Sequence, residues 1–269
     1  AALAAAVVII WYALFYYESR LDLLVTFFDV GQGDAIFIEV PNGNQILIDG
    51  GPDDRILAKL GRTVPFWDRT IDLLILTHPH ADHLNGLLEV AKRYQVATVI
   101  ESGVPHSISE YEEWRTLLEK KRVPVTHART GMRIDAGRGV AFDILAPAAD
   151  AVVNAAQPHD ANVVSRLTHG EISILLTGDA EKQMEYRLVF ESLDPQLLVL
   201  DSDILKVGHH GSKTSSSEEF LAAVSPDIAI IQAGRKNRFG HPAPEVLERL
   251  ETSGARILLT DRYGDIRFW

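Results

Sequence analysis

From Leu23 onward, short apolar runs alternate with amphipathic stretches, which is the signature of strands interleaved with helices. The opening is antiparallel: strands are expected at Leu23 to Asp29, Ala35 to Val40 and Gln45 to Asp49, joined by a Gly31-Gln32-Gly33 turn and a Pro41-Asn42-Gly43-Asn44 turn. The run Ile71 to Leu76 reads as a buried strand. Helices are predicted over Asp82 to Arg93, Ser109 to Lys121, Ala180 to Glu191, Ser216 to Val224 and Pro244 to Ser253. Further strands are predicted at Val96 to Ile100, Val140 to Leu145, Val163 to Thr168, Ile172 to Thr177, Asp203 to Val207, Ile228 to Gln232, Arg256 to Thr260 and Asp265 to Phe268. No low-complexity linker divides this stretch, so residues 21–269 are expected to form one α/β catalytic domain of two sheets flanked by helices.

The first seventeen residues have a different pattern. Ala1 to Tyr17 hold no charge and end in Trp11-Tyr12 and Phe15-Tyr16-Tyr17 before Glu18-Ser19-Arg20, so residues 1–20 are expected to form a short membrane segment with an aromatic belt. A catalytic domain anchored at the membrane would follow; with no charges upstream the segment does not set its side.

Composition narrows the chemistry. At 269 residues with 46% hydrophobic content the chain can bury a large core. Its net charge of −11 excludes broad electrostatic adhesion to nucleic acid, so any contact with DNA must be local. The absence of cysteine removes disulfides, thiolate metal sites and cysteine nucleophiles.

The chemistry concentrates at strand ends. Thr77-His78-Pro79-His80-Ala81-Asp82-His83 follows the Ile71 to Leu76 run, placing His78 and His80 on one side and swinging Asp82 and His83 toward a second position. Imidazole and carboxylate suit zinc, manganese or iron, and two such ions about 3.5–4 Å apart activate water; zinc or manganese is the expected pair. Asp179, after the Ile172 to Thr177 strand, is expected to bridge the two ions. His209 and His210 follow the Asp203 to Val207 strand; alternation predicts that they point to different faces and leaves open which is the ligand. His159 is the candidate for a further ligand on the first ion, reached across a hairpin from Asp179, and Asp49 is expected to accept a hydrogen bond from a ligand histidine. Asp29 and Gln32 are placed near the site, and His241 is a candidate leaving-group acid or phosphate contact.

Six motifs in order resemble the metallo-β-lactamase superfamily, and more narrowly the C-terminal domain of the ComEC competence proteins. They are Asp-Val-Gly-Gln-Gly-Asp at 29–34, Ile-Asp-Gly-Gly at 48–51, His-Pro-His-Ala-Asp-His at 78–83, Leu-Thr-Gly-Asp at 176–179, Lys-Val-Gly-His-His-Gly-Ser-Lys at 206–213 and Asn-Arg-Phe-Gly-His-Pro at 237–242. The resemblance implies a four-layer αββα sandwich with metals at one edge, a place on the extracytoplasmic side of the membrane beside a DNA-uptake channel, and nuclease activity on the strand that is not imported. It implies Asp82 and Asp179 as catalytic metal ligands, with Lys213 and Asn237 as outer or substrate contacts. Where such proteins carry an Asn-rich stretch, this chain has Gln157-Pro158-His159-Asp160, so His159 is an added ligand candidate.

Hydrolysis of a phosphodiester in DNA is the leading expectation. Lys206, Lys213, Arg235, Lys236 and Arg238 are expected to form a local basic rim, with Phe239 available to stack a base. Two other readings compete: hydrolysis of a small or cell-wall-linked phosphodiester, and a non-catalytic module that guides DNA to a channel. The intact ligand set weighs against the last. A di-iron oxidoreductase would be expected to carry Glu where this chain has His80.

Overall fold

Alternation along each strand decides the layering. In the first sheet Ile36, Ile38, Ile46, Ile48, Leu73 and Ile75 join a central core, whereas Phe37, Leu47, Leu74 and Leu76 between them join an outer one. The second sheet repeats this, with Ile174, Leu176, Ile204 and Ile230 in the centre and Leu175, Leu205 and Ile231 outside. Strands buried on both faces require apolar residues at consecutive positions, which is why these segments read as continuous hydrophobic runs.

A computed structural model of the chain describes residues 2–18, 22–154, 158–194 and 198–269. After helix α1 (Ala2–Glu18), the first sheet is built from β1 (Leu24–Phe27), β2 (Ile36–Glu39), β3 (Gln45–Ile48), β4 (Thr70–Leu76), β5 (Gln95–Glu101) and β6 (Val125–His127). Its helices are α2 (Arg55–Thr63), α3 (Ala81–Arg93) and α4 (Ser109–Lys121). The second sheet comprises β7 (Arg133–Gly137), β8 (Val140–Ala146), β9 (Val164–His169), β10 (Ile172–Leu176), β11 (Ile204–Lys206), β12 (Ile228–Ile231) and β13 (Arg256–Leu259). The short helix α5 (Ala149–Asn154), then α6 (Lys182–Ser192), α7 (Glu218–Val224), α8 (Pro244–Thr252) and α9 (Thr260–Tyr263) accompany it, and β14 (Ile266–Phe268) returns to the first sheet.

The sheet orders are β14-β1-β2-β3-β4-β5-β6 and β13-β12-β11-β10-β9-β8-β7. Each is mixed: β1 to β3 pair antiparallel and β3 to β6 parallel, while β7 to β10 pair antiparallel and β10 to β13 parallel. Ile56 and Leu60 of α2, Leu84 and Leu87 of α3, and Trp114 of α4 cover the outer face of the first sheet. Met184 of α6, Phe220 of α7 and Val246 of α8 cover the second. The result is the expected αββα sandwich.

Most predicted elements appear within a residue or two of their expected bounds. The sequence reading missed α2, β6, β7, α5 and α9, which are short or lie at edges; all three residues of β6 are exposed and carry no apolar alternation. The expected membrane segment is not supported as a full span by α1. Its residues do form α1, and Leu3 and Val7 to Tyr12 are exposed, but α1 has 17 residues, about 25 Å at 1.5 Å per residue, short of a hydrocarbon core of about 30 Å. Among the described residues no helix is long and apolar enough to cross a membrane. The side chains of the expected belt at Phe15, Tyr16 and Tyr17, and the boundary at Arg20, lie outside the described set.

One close approach positions the site. Gly50 donates its N–H to the His83 carbonyl and Gly86 to that of Gly51, pressing the start of α3 against the end of β3. A Cβ on Gly86 would fall 1.8 Å from the Gly50 carbonyl oxygen. Gly86→Ala is therefore expected to destabilise the fold by at least about 2 kcal/mol, an overpacking cost, and to weaken metal binding by displacing Asp82 and His83. Urea unfolding midpoints and metal titration check both.

Candidate metal centre

The carboxyl ends of the parallel strands from both sheets meet at one edge, where α/β proteins place their sites. Asp49 follows β3, His78 to His83 follow β4, Asp179 follows β10, and His209 and His210 follow β11. His159 lies in the 3₁₀ turn Pro158–Ala161, just before β9, which runs antiparallel to β10 and so begins at this edge. The backbone N–H of Val163 donates to the Thr77 carbonyl at 2.9 Å and stitches the two sheets together there.

Asp179 is the hub. Its carboxylate lies 3.7 Å from His78 Nε2, 3.3 Å from His83 Nε2, 3.8 Å from His209 Nε2 and 3.6 Å from His210 Nε2. Two ligand sets flank it: His78, His80 and His159 on one side, and Asp82, His83 and His210 on the other, the potential ligand atoms of each set lying within 4.8 Å of one another. Instead of capping α6, Asp179 sits in a turn where its N–H donates to Asn162 Oδ1 at 3.1 Å, and Asn162 donates in turn to the Thr177 carbonyl at 2.6 Å. Gly178, at φ +51°, leaves no room for a Cβ beside that Asn162 oxygen.

Four of the imidazoles are oriented the same way. His83 Nδ1 faces Asp49 Oδ2 at 2.8 Å, His78 Nδ1 faces Thr77 Oγ at 3.1 Å, His209 Nδ1 faces Glu181 at 2.9 Å and His210 Nδ1 faces the Gln232 carbonyl at 2.9 Å. Each acceptor holds the proton on Nδ1 and turns Nε2 toward the centre, the usual support for a metal ligand. Thr77 is itself pinned by Asp49, which accepts from its N–H and hydroxyl at 2.9 and 2.7 Å.

The fit to metal rests on what these atoms lack. Among the described residues, His78 Nε2, His83 Nε2, His210 Nε2 and Asp179 Oδ1 are buried without a hydrogen-bond partner. Buried polar atoms are almost always satisfied, and orphans converging on one place mark a missing ligand. With nitrogen and carboxylate donors and no thiolate, the set suits divalent transition-metal ions.

Electrostatics divide the two sides. Burial, then neighbouring histidines, hold this side low: His83 and His80 act on His78 and His209 on His159, both kept below the usual imidazole range, and His159 and His83 act on His80, held at about 4. On the other side burial also pushes downward but is outweighed: Asp179 and Asp49 hold His83 well above its ordinary value, and Asp179 and Asp34 push His210 up to about 10.

The structure corrects two expectations. His209 and His210 do not point to opposite faces, because the segment is a turn, Gly208–Gly211, with both residues in the left-handed region at φ 47° and 54°. Both rings face Asp179; His210 is buried and also lies 3.3 Å from Asp82 Oδ2, while His209 is partly open to solvent beside His159, their ring centroids 5.2 Å apart. Lys206 does not join a basic rim. It is fully buried, pairs with Asp34 and donates to the Gly178 carbonyl at 2.8 Å. Asp34 lies 3.3 Å from His210 Nδ1, so a buried ion pair backs the ligand side, and removing either partner would leave a costly lone charge.

The remaining candidates lie further out. Gln32 accepts from the Gly234 N–H at 3.2 Å and Asp29 accepts from Gly31 while its own N–H donates to Asp265, so both shape the turn beside the site. Asn237 spends both ends of its amide inside its own loop, donating to the Gly234 and His241 carbonyls and accepting from the N–H groups of Phe239 and His241. Lys213 is exposed in a shallow cleft with Glu181 and Glu245. His241 lies 5.8 Å from His209, ring to ring, with burial and then His209 and His210 keeping it below the usual range. Sequence reasoning missed Asp34, Thr77, Asn162, Gln232 and His106, whose ring is 5.5 Å from that of His80. Asp34 and Thr77 carried a signal, as the last residue of the Asp29 to Asp34 motif and the first of the Thr77 to His83 motif.

Comparison with known proteins agrees with this geometry. Residues 28–235 match the family model described as Metallo-beta-lactamase superfamily. ComE operon protein 3 of Bacillus subtilis is 31% identical over 93% of this chain and 33% of its own length; Recombination protein 2 of Haemophilus influenzae is 34% identical over 94% and 30%. The chain therefore spans about a third of these curated relatives. They bear out the resemblance to ComEC-type competence proteins. The metallo-beta-lactamase fold protein YhfI from Bacillus subtilis superposes with a TM-score of 0.61 at 12% identity, covering 92% of this chain and all of that one, a likeness of fold. With more than half its length matched by the family model and its ligand residues gathered at the shared edge of two mixed sheets, the chain belongs to the metallo-β-lactamase superfamily.

Proposed function

We propose that this protein is a two-metal phosphodiesterase that cuts DNA. The observation that carries this reading is the convergence of His78, His80, His159, Asp82, His83 and His210 in two sets around Asp179, with four buried ligand atoms left without protein partners among the described residues. A pair of divalent ions held there would supply activation of water and neutralisation of charge on a phosphoryl oxygen. Asp179 is placed to be shared by both sides. Asp49, Thr77, Glu181 and the Gln232 carbonyl keep the imidazoles aimed.

DNA as substrate is supported by one side of the site. Arg235, Lys236 and Arg238 are exposed; the Arg238 guanidinium lies 4.8 Å over the Phe239 ring, and Phe239, 54% exposed, stacks on His241 at 5.8 Å and 13°. This track of stacked and cationic groups leads from solvent to His209, as a single strand's bases and phosphates would need. His241 is neutral at pH 7 before substrate arrives, so a role as leaving-group acid requires the phosphodiester's charge to raise it. The kinship with competence proteins supports work during DNA uptake; a place on the outer side of a membrane beside a channel protein is part of the same proposal and rests on the resemblance alone.

A second reading has its own observation. A cavity of about 380 Å³, floored by Leu145, Pro147 and Met184, opens beside His159 and Glu181 and has room for the alcohol of a small phosphodiester. Metal-stripped protein, resupplied with manganese or zinc, is expected to cleave end-labelled single- and double-stranded DNA, and His80→Ala to lose that activity. No cleavage of DNA, with turnover of a small chromogenic phosphodiester that His80→Ala abolishes, would shift the assignment to the second reading.

A further inference from the structure

We propose that the pole of the molecule opposite the histidine face, carrying Phe66, Trp67 and Trp269, seats on the headgroup region of an anionic lipid bilayer. Strand direction defines this pole. Because β1 pairs antiparallel with β2, β2 antiparallel with β3 and β3 parallel with β4, the starts of β1 and β4 lie at one end of the first sheet, and the histidine ligands follow the other end of β4. Phe66 and Trp67 immediately precede β4 and are 78% and 63% exposed. Phe268, the last residue of β14, pairs with Val25 near the start of β1, so Trp269, 85% exposed, ends at the same pole.

Single exposed apolar residues are ordinary, but a pair in mutual contact is less so. The Phe66 and Trp67 rings pack edge to face with centroids 4.8 Å apart at 82°, presenting one aromatic wedge. Cations surround it. α2, α3 and α4 each run from the histidine face down to this pole, so exposed Arg62, Arg93, Lys120 and Arg122 at or beside their carboxyl ends lie there, in a chain whose net charge is −11. The acids nearby are partly engaged: Glu89 pairs with Lys92 and Arg93, and Asp68 accepts from Gln45 and Thr70. Beside the wedge a cleft of about 670 Å³, whose lining includes Trp67, Asp68, Arg69, Arg93, Tyr94 and Lys121, sets three cations against one carboxylate, a net positive charge that suits a phosphate headgroup. Aromatic side chains at headgroup depth with Lys and Arg beside them are what an anionic membrane surface attracts.

Continuity adds to this. The apolar helix α1 connects to the body through β1, whose start is at this pole. Whatever α1 does, the chain enters the domain on the side of the wedge. Since the seven-residue β4 spans roughly 20 Å, the histidine face would stand about that far from the bilayer and open away from it.

Tryptophan quenching by brominated lipid tests the proposal in the full chain. The tryptophans are Trp11, Trp67, Trp114 and Trp269, and Trp114 is buried, so a Trp11→Phe/Trp269→Phe variant reports on Trp67. With vesicles of phosphatidylcholine containing about one-third phosphatidylglycerol, brominated on upper acyl carbons, Trp67 is expected to be quenched, and adding Trp67→Phe to remove the effect. Pure phosphatidylcholine should quench it several-fold less. Trp67 left unquenched, while Trp11 in a Trp67→Phe/Trp269→Phe chain is quenched, would mean that α1 alone holds the membrane and the pole faces away, overturning the proposal. A Trp67 response to single-stranded oligonucleotide but not to vesicles would overturn it too, by making the pole a nucleic-acid surface.

Discussion

Replacing Asp179 by Ala should abolish hydrolysis and strip metal from both sides of the centre at once. The four distances of 3.3 to 3.8 Å from its carboxylate to His78, His83, His209 and His210 make it the side chain the two ligand sets have in common. Other ligands serve one side: losing His80 leaves Asp82, His83, His210 and Asp179 in place. We expect activity to fall by on the order of 10³-fold or more in Asp179→Ala, beyond the roughly 10–100-fold that removing an outer hydrogen-bond partner costs, as in Asp49→Asn. Metal content by mass spectrometry and initial rates, with circular dichroism to confirm folding, separate the two. An Asp179→Ala protein that keeps its metals and its rate would sink the shared-ligand mechanism.

Metal loading should release protons, and unequally on the two sides. His83 and His210 are held above the usual imidazole range, His210 at about 10, so in the metal-free protein at pH 7 both rings carry a second proton on the nitrogen that must ligate. His78, His80 and His159 are held below it, His80 at about 4, and are already neutral. The Asp82, His83 and His210 side should therefore bind about tenfold more weakly for each proton displaced per pH unit of acidification below neutrality, while the His78, His80 and His159 side should change little. The same sign governs stability without metal. A group whose folded value is raised stabilises the fold fully below its unfolded value of about 6.5 and loses that contribution as pH rises toward its folded value, so the His210 contribution fades between about 6.5 and 10. Calorimetric titrations with zinc in buffers of different ionisation enthalpy count the protons; two binding steps with equal, pH-independent affinity would contradict the division.

Much of the site was legible because its residues sit where local pattern stops. An apolar run ending in His78-Pro79-His80-Ala81-Asp82-His83 needs none of those polar groups for folding, so their presence there signalled chemistry, and the same logic found Asp179 and the His209-His210 pair. His159 was reached by hairpin arithmetic, and its ring lies 4.4 Å from that of His80. The helix over Ser109–Lys121 was read to the residue because its buried Tyr111, Trp114 and Leu118 recur at helical spacing. Lys206 was misread because a lysine near basic neighbours looks solvated; its partner Asp34 comes from the other sheet, far away in sequence. Gln232 was invisible for the same reason: it ends an apolar strand, yet its side-chain amide donates to the Phe28 and Ala35 carbonyls across the sandwich while its own carbonyl orients His210.

The sequence by itself determined the two-sheet architecture, the edge on which the histidines and carboxylates gather and which side chains are candidates for holding metal. Periodicity and strand ends are local properties, set by backbone geometry and readable within a few residues. Only the tertiary structure decided how those side chains divide into two sets around Asp179, that His209 and His210 turn inward together, and which acceptors fix each imidazole. It also placed the Asp34–Lys206 pair behind His210. These depend on groups brought together by packing two sheets face to face, and in a buried setting a separation of an ångström or two decides which charge a histidine meets.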